Sequence, residues 1–341
     1  VPCAKMRRAA IEHEVQSKLA NESIPAIHCE PNGDLWFGTR RSGAFRYDGA
    51  TLTRFGATNG LSGDHIRSIR RTSDGSIWFG TDKGPSRYDG KSFKTFQSED
   101  GFWLPYSGTG VNQVDAAPDG SVWLVAFDSG AYRYDGTTFH RFSSSDGLGI
   151  HRRVSSVWCA PEGGQVWFGT VQGVSRYAGQ GYLNYTADAN GPGFGFGVIT
   201  SICRDGKGLL YFATDRRGVW RHDEKTFAHL TMADGLPNNT VYSALLSSRK
   251  GLWFGLEIGA AKLDGTNVTG FTRDEISGLT VVSLAEAKSG EILLGRRFTS
   301  LSRWDGERFT WMGGQTVTSM SRDGEGAVWI ANGPQGLGRY D

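Results

Sequence analysis

One short apolar run returns eight times along the chain at nearly constant spacing. It reads LWFGT (35–39), IWFGT (77–81), VWLVA (122–126), VWFGT (166–170), LYFAT (210–214), LWFGL (252–256), ILLGR (292–296) and VWIAN (328–332). The aromatic residue or its equivalent falls at 36, 78, 123, 167, 211, 253, 293 and 329, in steps of 42, 45, 44, 44, 42, 40 and 36. A run such as LWFG is apolar without alternation, so both faces of the strand it forms must be buried. A unit that cannot bury its own faces has to stack against copies of itself.

Three further elements complete the unit. A glycine-bounded segment trails each apolar run: GAFRYDG (43–49), GPSRYDG (84–90), GAYRYDG (130–136), GVSRYAG (173–179), and weaker later forms. Asp-Gly here predicts a two-residue type I′ hairpin. Beyond it, apolar residues recur three apart, as in Leu52/Phe55, Phe93/Phe96, Phe139/Phe142 and Tyr182/Tyr185. A matching pair precedes each run: Ile66/Ile69, Val111/Val114, Val154/Val157, Ile199/Ile202, Val281/Leu284 and Val317/Met320. Gly-bearing turns such as Ser73–Gly75 and Pro118–Gly120 join that strand to the next. The 49 glycines sit between apolar runs and read as turns, not as a disordered tract. Four strands per unit and a period of about 42 residues predict an all-β fold, a β-propeller in which each sheet is sandwiched between two neighbours.

Eight four-stranded blades are the expectation over residues 24–341. The alternative is seven blades followed by the first blade of a truncated second ring. The eighth copy stops at Asp341 before an outermost strand, and residues 1–23 form an N-terminal extension that is either helical or the closing strand, around Glu14–Leu19.

Composition excludes several classes. Lys plus Arg number 37 and Asp plus Glu 35, which lacks the basic excess of a nucleic-acid binder. No stretch of 18 apolar residues exists, so no membrane insertion by this region is expected. Cys3, Cys29, Cys159 and Cys203 form no C-x-x-C pair and no zinc spacing; the last three are expected to be buried free thiols on inner strands. No G-x-S-x-G, H-E-x-x-H or phosphate loop occurs, and the seven histidines do not cluster. The region is therefore expected to be no enzyme and to need no cofactor and no metal. RDGKG (204–208) and RDGEG (322–326) occupy the turn position of the repeat and are read as turns.

The repeat resembles the two-component regulator propeller repeat. The sixth copy, GLPNNTVYSALLSSRKGLWFGLEIGAAKLDG (235–265), and residues 60–90 carry the likeness most strongly, and it extends over about 24–341. The resemblance implies the extracytoplasmic sensor region of a bacterial hybrid histidine kinase, often concerned with polysaccharide fragments, commonly built as seven-bladed rings. It implies a periplasmic or extracellular location, a small-molecule or oligosaccharide ligand, and a homodimer formed through the parent protein. This chain departs from it in having eight copies and no kinase, receiver or membrane segment of its own.

Propellers present ligands at one face, where the loops leading into inner strands meet those following the apolar runs. Here these loops are rich in arginine: Arg40, Arg67, Arg152, Arg216 and Arg296 are expected on that face, with Tyr242, and with Trp103 and Tyr106 from the long loop 101–110. Such a set would concentrate an anionic ligand. Asp64, Asp82, Asp128, Asp215 and Glu257 interrupt it, so a merely solvated rim is the competing reading. Aromatics on glycine-rich loops either stack on sugar rings or plug the channel. Two other functions compete: a protein-binding scaffold, and a lyase resembling the streptogramin-inactivating propellers, with His65 and His151 as the candidate catalytic histidines.

Overall fold

The eight repeats fold as eight antiparallel sheets, each with its strands in chain order. The computed structural model describes residues 18–19, 22–104, 110–126, 128–143, 147, 153–162, 164–179, 181–186, 197–249, 251–276, 280–297, 301–313, 316–332 and 336–341. Blade 1 consists of strands Ala26–Cys29, Leu35–Gly38, Ala44–Tyr47 and Leu52–Phe55. Blades 2 to 7 repeat this plan over 66–95, 111–142, 154–186, 199–230, 241–271 and 281–313. Blade 8 has three strands among the described residues, Ser319–Arg322, Val328–Ala331 and Leu337–Tyr340. No helix among the described residues is long and apolar enough to cross a membrane.

The inner strand of each blade touches that of the next, and the inner strand of blade 8 touches that of blade 1. Thr318 Oγ1 donates to Ile24 O at 2.9 Å and Cys29 Sγ to Ser321 Oγ at 3.4 Å across this seam. The ring is thus closed by eight blades, and the seven-plus-one alternative is overturned. Residues 18–19 are helical, and Leu19 lies fully buried in the same seam beside Leu35, Phe37, Trp329 and Leu337.

Among the described residues there are eight apolar clusters, and each lies at the interface between two blades. In the LWFG run, Trp36 faces blade 2 while Leu35 and Phe37 face blade 8. This is why the run does not alternate. Trp36, Trp78, Trp123, Trp167 and Trp253 are each at most 2% exposed. Burying such a side chain is worth roughly 1.5–3 kcal/mol. The glycine of the run is set by close approach: a Cβ on Gly38 would lie 2.5 Å from Ile66 Cγ2 of blade 2. The threonine after it closes the next turn, with Thr39, Thr81, Thr170 and Thr214 hydroxyls donating to the carbonyls of Gly43, Gly84, Gly173 and Gly218.

Apolar residues three apart cannot share a face of a regular strand, since side chains alternate. In the inner strands of blades 2 to 7 a β-bulge resolves the conflict. Ile66 pairs with Thr81 and Ser68 with Gly80, leaving Arg67 as the extra residue; Ile69 then pairs with Phe79, on the same face as Ile66. The same irregularity recurs at Val154/Ser156, Ile199/Ser201, Val241/Ser243 and Val281/Ser283. In the outer strands the three-residue spacing has the opposite effect: Leu52 packs toward blade 8 and Phe55 toward blade 2.

Two sequence expectations are corrected. In blades 1 to 3 the Asp-Gly hairpins are four-residue loops, not two-residue type I′ turns: Asp48 N donates to Thr51 O, and Asp48 Oδ1 accepts the N–H groups of Ala50 and Thr51; in blade 6, Asp264 pairs with Asn267 around a two-residue Gly265-Thr266 loop. Only the glycine there takes positive φ, 89° at Gly49. The aspartate side chain supplies the closure that a second positive-φ residue would otherwise provide. Of the three described cysteines, Cys159 is buried, but Cys29 and Cys203 are half-buried. All three are free; burial is the main cause that pushes the Cys29 thiol up to about 11 and that of Cys203 to about 12.

Candidate functional site

Antiparallel pairing fixes which residues share a mouth of the ring. The start of each inner strand lies beside the end of the second strand, as Ile66 does beside Thr81. The same end meets the preceding blade, where Ile66 N donates to Thr39 O at 2.8 Å. Arg40, Arg67, Arg216, Tyr242 and the loop carrying Trp103 therefore gather at one end of the blades, here termed the upper mouth. Arg152 and Tyr106 lie outside the described residues, as does His151.

Around blades 1 to 3, Arg67 occupies the bulge position and its Nη1 donates to Asn112 Oδ1, the bulge residue of the next blade, at 2.5 Å. His65 precedes it, with its N–H directed to Asp82 Oδ1 at 3.3 Å. Burial, then the cations of Arg67 and Arg40, hold the His65 imidazole below its usual range against the opposing carboxylate of Asp82. Arg40 itself is exposed.

A second group lies on blades 5 to 7. Arg216 is 81% exposed and is held at a φ of 74°, a left-handed conformation rare for a residue with a Cβ. Its Nε is 3.6 Å from Asp215 Oδ1. Tyr242 occupies the bulge of blade 6; burial, then the charge of Glu257, raise its phenol, while Arg297 opposes them. On the loop between blades 2 and 3, Trp103 is 55% exposed, with the Arg141 guanidinium of blade 3 lying 5.8 Å from its ring centre. Phe102, from the same loop, is instead buried against Tyr132 and Phe139.

Arg296 departs from the expectation. It is fully buried, and its Nη1 donates to Ile276 O at 3.0 Å, beside the hydroxyl of Ser302. It stands in ILLGR where four of the other runs have their buried turn-closing threonine, so the repeat alignment itself carried the signal that it is internal. Its guanidinium is a structural donor and not part of the exposed face.

The opposite end carries features that the sequence did not reveal. The third-strand arginine of each RYDG segment reaches the turn between the first two strands: Arg46 to Asp34, Arg87 to Asp74 and Arg133 to Asp119. One layer in, ion pairs join blades, Arg71 to Glu30 and Arg70 to Asp115, both at 2.9 Å. Asp115 Oδ2 also accepts Cys159 N–H of blade 4. A cavity of about 350 Å³ lies within the ring, lined by Ser68, Arg70, Gln113, Asp115, Trp158 and Ser201 among others. A wider one of about 710 Å³ opens at the lower mouth.

A closed ring of eight blades around a polar channel defines a β-propeller. Residues 60–83, at the second blade, match the family described as two component regulator propeller. No curated protein matches the chain in sequence. Among solved structures it is similar to the extracellular domain described as that of a hybrid two component system, BT3049 from B. thetaiotaomicron, at 17% identity and a TM-score of 0.65. The match covers 85% of this chain and 41% of that one, so the chain spans less than half of it. PorZ, a surface component of the type-IX secretion system of Porphyromonas gingivalis, matches at 13% identity and a TM-score of 0.59, over 90% of this chain and 51% of that one. Virginiamycin B lyase from Staphylococcus aureus matches at 14% identity and a TM-score of 0.58, over 80% and 94%. At these identities the likeness is one of fold.

Proposed function

We propose that this propeller is the extracytoplasmic, non-catalytic sensory domain of a bacterial signal-transduction protein, and that its upper mouth binds an anionic oligosaccharide. The repeat match at 60–83 and the shared fold with the extracellular domain of BT3049 support the sensory role. The observation that carries the ligand class is the upper-mouth set itself. Arg216 presents an exposed guanidinium from a left-handed backbone position, and such strain is stored preferentially at ligand-binding sites. Arg40 and Arg67 add positive charge, and Trp103 and Tyr242 add aromatic surface suited to a sugar ring. Arg152 and Tyr106 belong to the proposal by their position in the repeat; Arg296 does not.

The test is a glycan array followed by titration at two salt concentrations. Oligosaccharides carrying uronic acid or sulfate should bind, and more weakly at higher salt, because exposed charges are screened beyond about 8 Å at physiological ionic strength. Arg216→Ala and Arg152→Ala should each reduce affinity, and Lys91→Ala on the outer edge should not. Binding of neutral sugars alone, indifferent to salt, would sink the proposal.

A further inference from the structure

The ring-interior cavity and the lower-mouth cavity share walls, since Arg70, Trp158 and Ile202 line both. The wider part, about 710 Å³, lies in the range of small-molecule sites. Its wall is uneven. At the inner-strand position opposite the second-strand aromatic, blades 2 to 5 carry Arg70, Asp115, Trp158 and Cys203, whereas blades 6 to 8 carry Leu245, Ala285 and Ser321. One side of the channel therefore holds an indole, with the Arg70–Asp115 ion pair on one side of it and Cys203 on the other.

The hydrogen-bonding capacity left over on that side is mostly donor capacity. Asp205 is consumed by its own turn: Oδ1 accepts the N–H groups of Lys207 and Leu209, and Oδ2 accepts the Tyr211 hydroxyl. Asp115 is consumed by Arg70, Ala116 N–H and Cys159 N–H. Arg204 donates one N–H to Gly208 O at 3.3 Å, and among the described residues neither Arg204 nor Lys207 is held in an ion pair. Glu162 is the remaining acceptor on the rim. Guanidinium and ammonium donors beside an indole suit a flat ring that carries an anionic group, the ring on the indole and the anion on the cations.

We infer that the lower mouth is a second binding site, for a small molecule bearing a carboxylate on a six-membered ring, with Trp158 as the platform and Arg204 and Lys207 as the carboxylate donors. It is independent of the upper-mouth proposal and uses none of its residues. Two kinds of ring satisfy the chemistry, a sugar acid and an aromatic acid, so the probes are glucuronate and 4-hydroxybenzoate, each titrated by calorimetry and by ligand-observed NMR. At least one probe should bind. The Arg204→Ala/Lys207→Ala double variant should weaken that binding at least tenfold, Glu162→Gln should tighten it, and Arg216→Ala at the upper mouth should leave it unchanged. Trp158→Leu should abolish ring contacts in the NMR experiment; since Trp158 also packs between blades 4 and 5, the surface double variant decides if that protein fails to fold. Failure of both probes to bind, or binding that survives the double variant, would overturn the inference. Loss of binding in Arg216→Ala alone would assign the probe to the upper mouth and overturn it equally.

Discussion

Gly38→Ala tests whether blade-to-blade contact dictates the glycine of the repeated run. Its new Cβ would fall 2.5 Å from Ile66 Cγ2 and 2.7 Å from Ile66 Cβ. Carbon atoms in good contact are separated by about 3.5–4.0 Å, so the inner strand of blade 2 must retreat by roughly 1 Å. Ile66 is fully buried, and its N–H is bonded to Thr39 O of blade 1, so the retreat also stretches an inter-blade hydrogen bond. Overpacking costs about 1–3 kcal/mol and a weakened hydrogen bond about 1 more, which predicts a loss of about 2–4 kcal/mol. Urea unfolding followed by tryptophan fluorescence reads this as a lower midpoint at unchanged slope. Gly206→Ala is the control. Its added Cβ meets nothing within 4 Å, and it should stay within about 0.5 kcal/mol of the parent. The double variant Gly38→Ala/Ile66→Gly should be less destabilised than the sum of the singles by at least about 1 kcal/mol, because removing both Ile66 Cβ and Cγ2 opens the space that the new methyl enters. A Gly38→Ala protein as stable as the control, or strict additivity in the cycle, refutes the reasoning.

Two further stability tests follow from particular residues. Burial alone would raise the Glu286 carboxyl, but the Ser248 N–H and the hydroxyls of Ser248 and Ser247 more than offset it and hold the group below its usual range. A depressed folded value means that the stabilisation is present above the unfolded value of about 4.3 and is lost as pH falls through the folded one. Glu286→Gln should therefore cost about 1–2 kcal/mol at pH 7, shrinking toward zero in acid, as read by denaturation across pH 2–7; a pH-independent difference would contradict this. Glu224 stands at a φ of 72° where the first three blades have Gly49, Gly90 and Gly136, so Glu224→Gly should raise stability by about 0.5–1 kcal/mol, measurable as a higher melting temperature.

The blade count and the burial of the tryptophans were legible because they depend on periodicity and connectivity alone. What was not legible depends on register. One extra residue in an inner strand reverses every side chain beyond it, and the repeat carries such a bulge in six blades. The spacing of Ile66 and Ile69 recorded the bulge, since two apolar residues three apart can share a buried face only if one residue between them is looped out. With that correction, Ser68 and Arg70 fall on the face of Trp78, toward blade 3, and Asp115 becomes the partner that Arg70 meets there. The lower-mouth wall follows from the same step. Arg70, Asp115, Trp158 and Cys203 share one register position, yet they lie 43 to 45 residues apart in the sequence, and only the paired strands align them. Arg296 was hidden for a different reason. Its residue type suggested an exposed charge, while its register position, that of Thr39, Thr81, Thr170 and Thr214, required a buried donor. In this chain the position within the repeat governed the outcome wherever it conflicted with residue type.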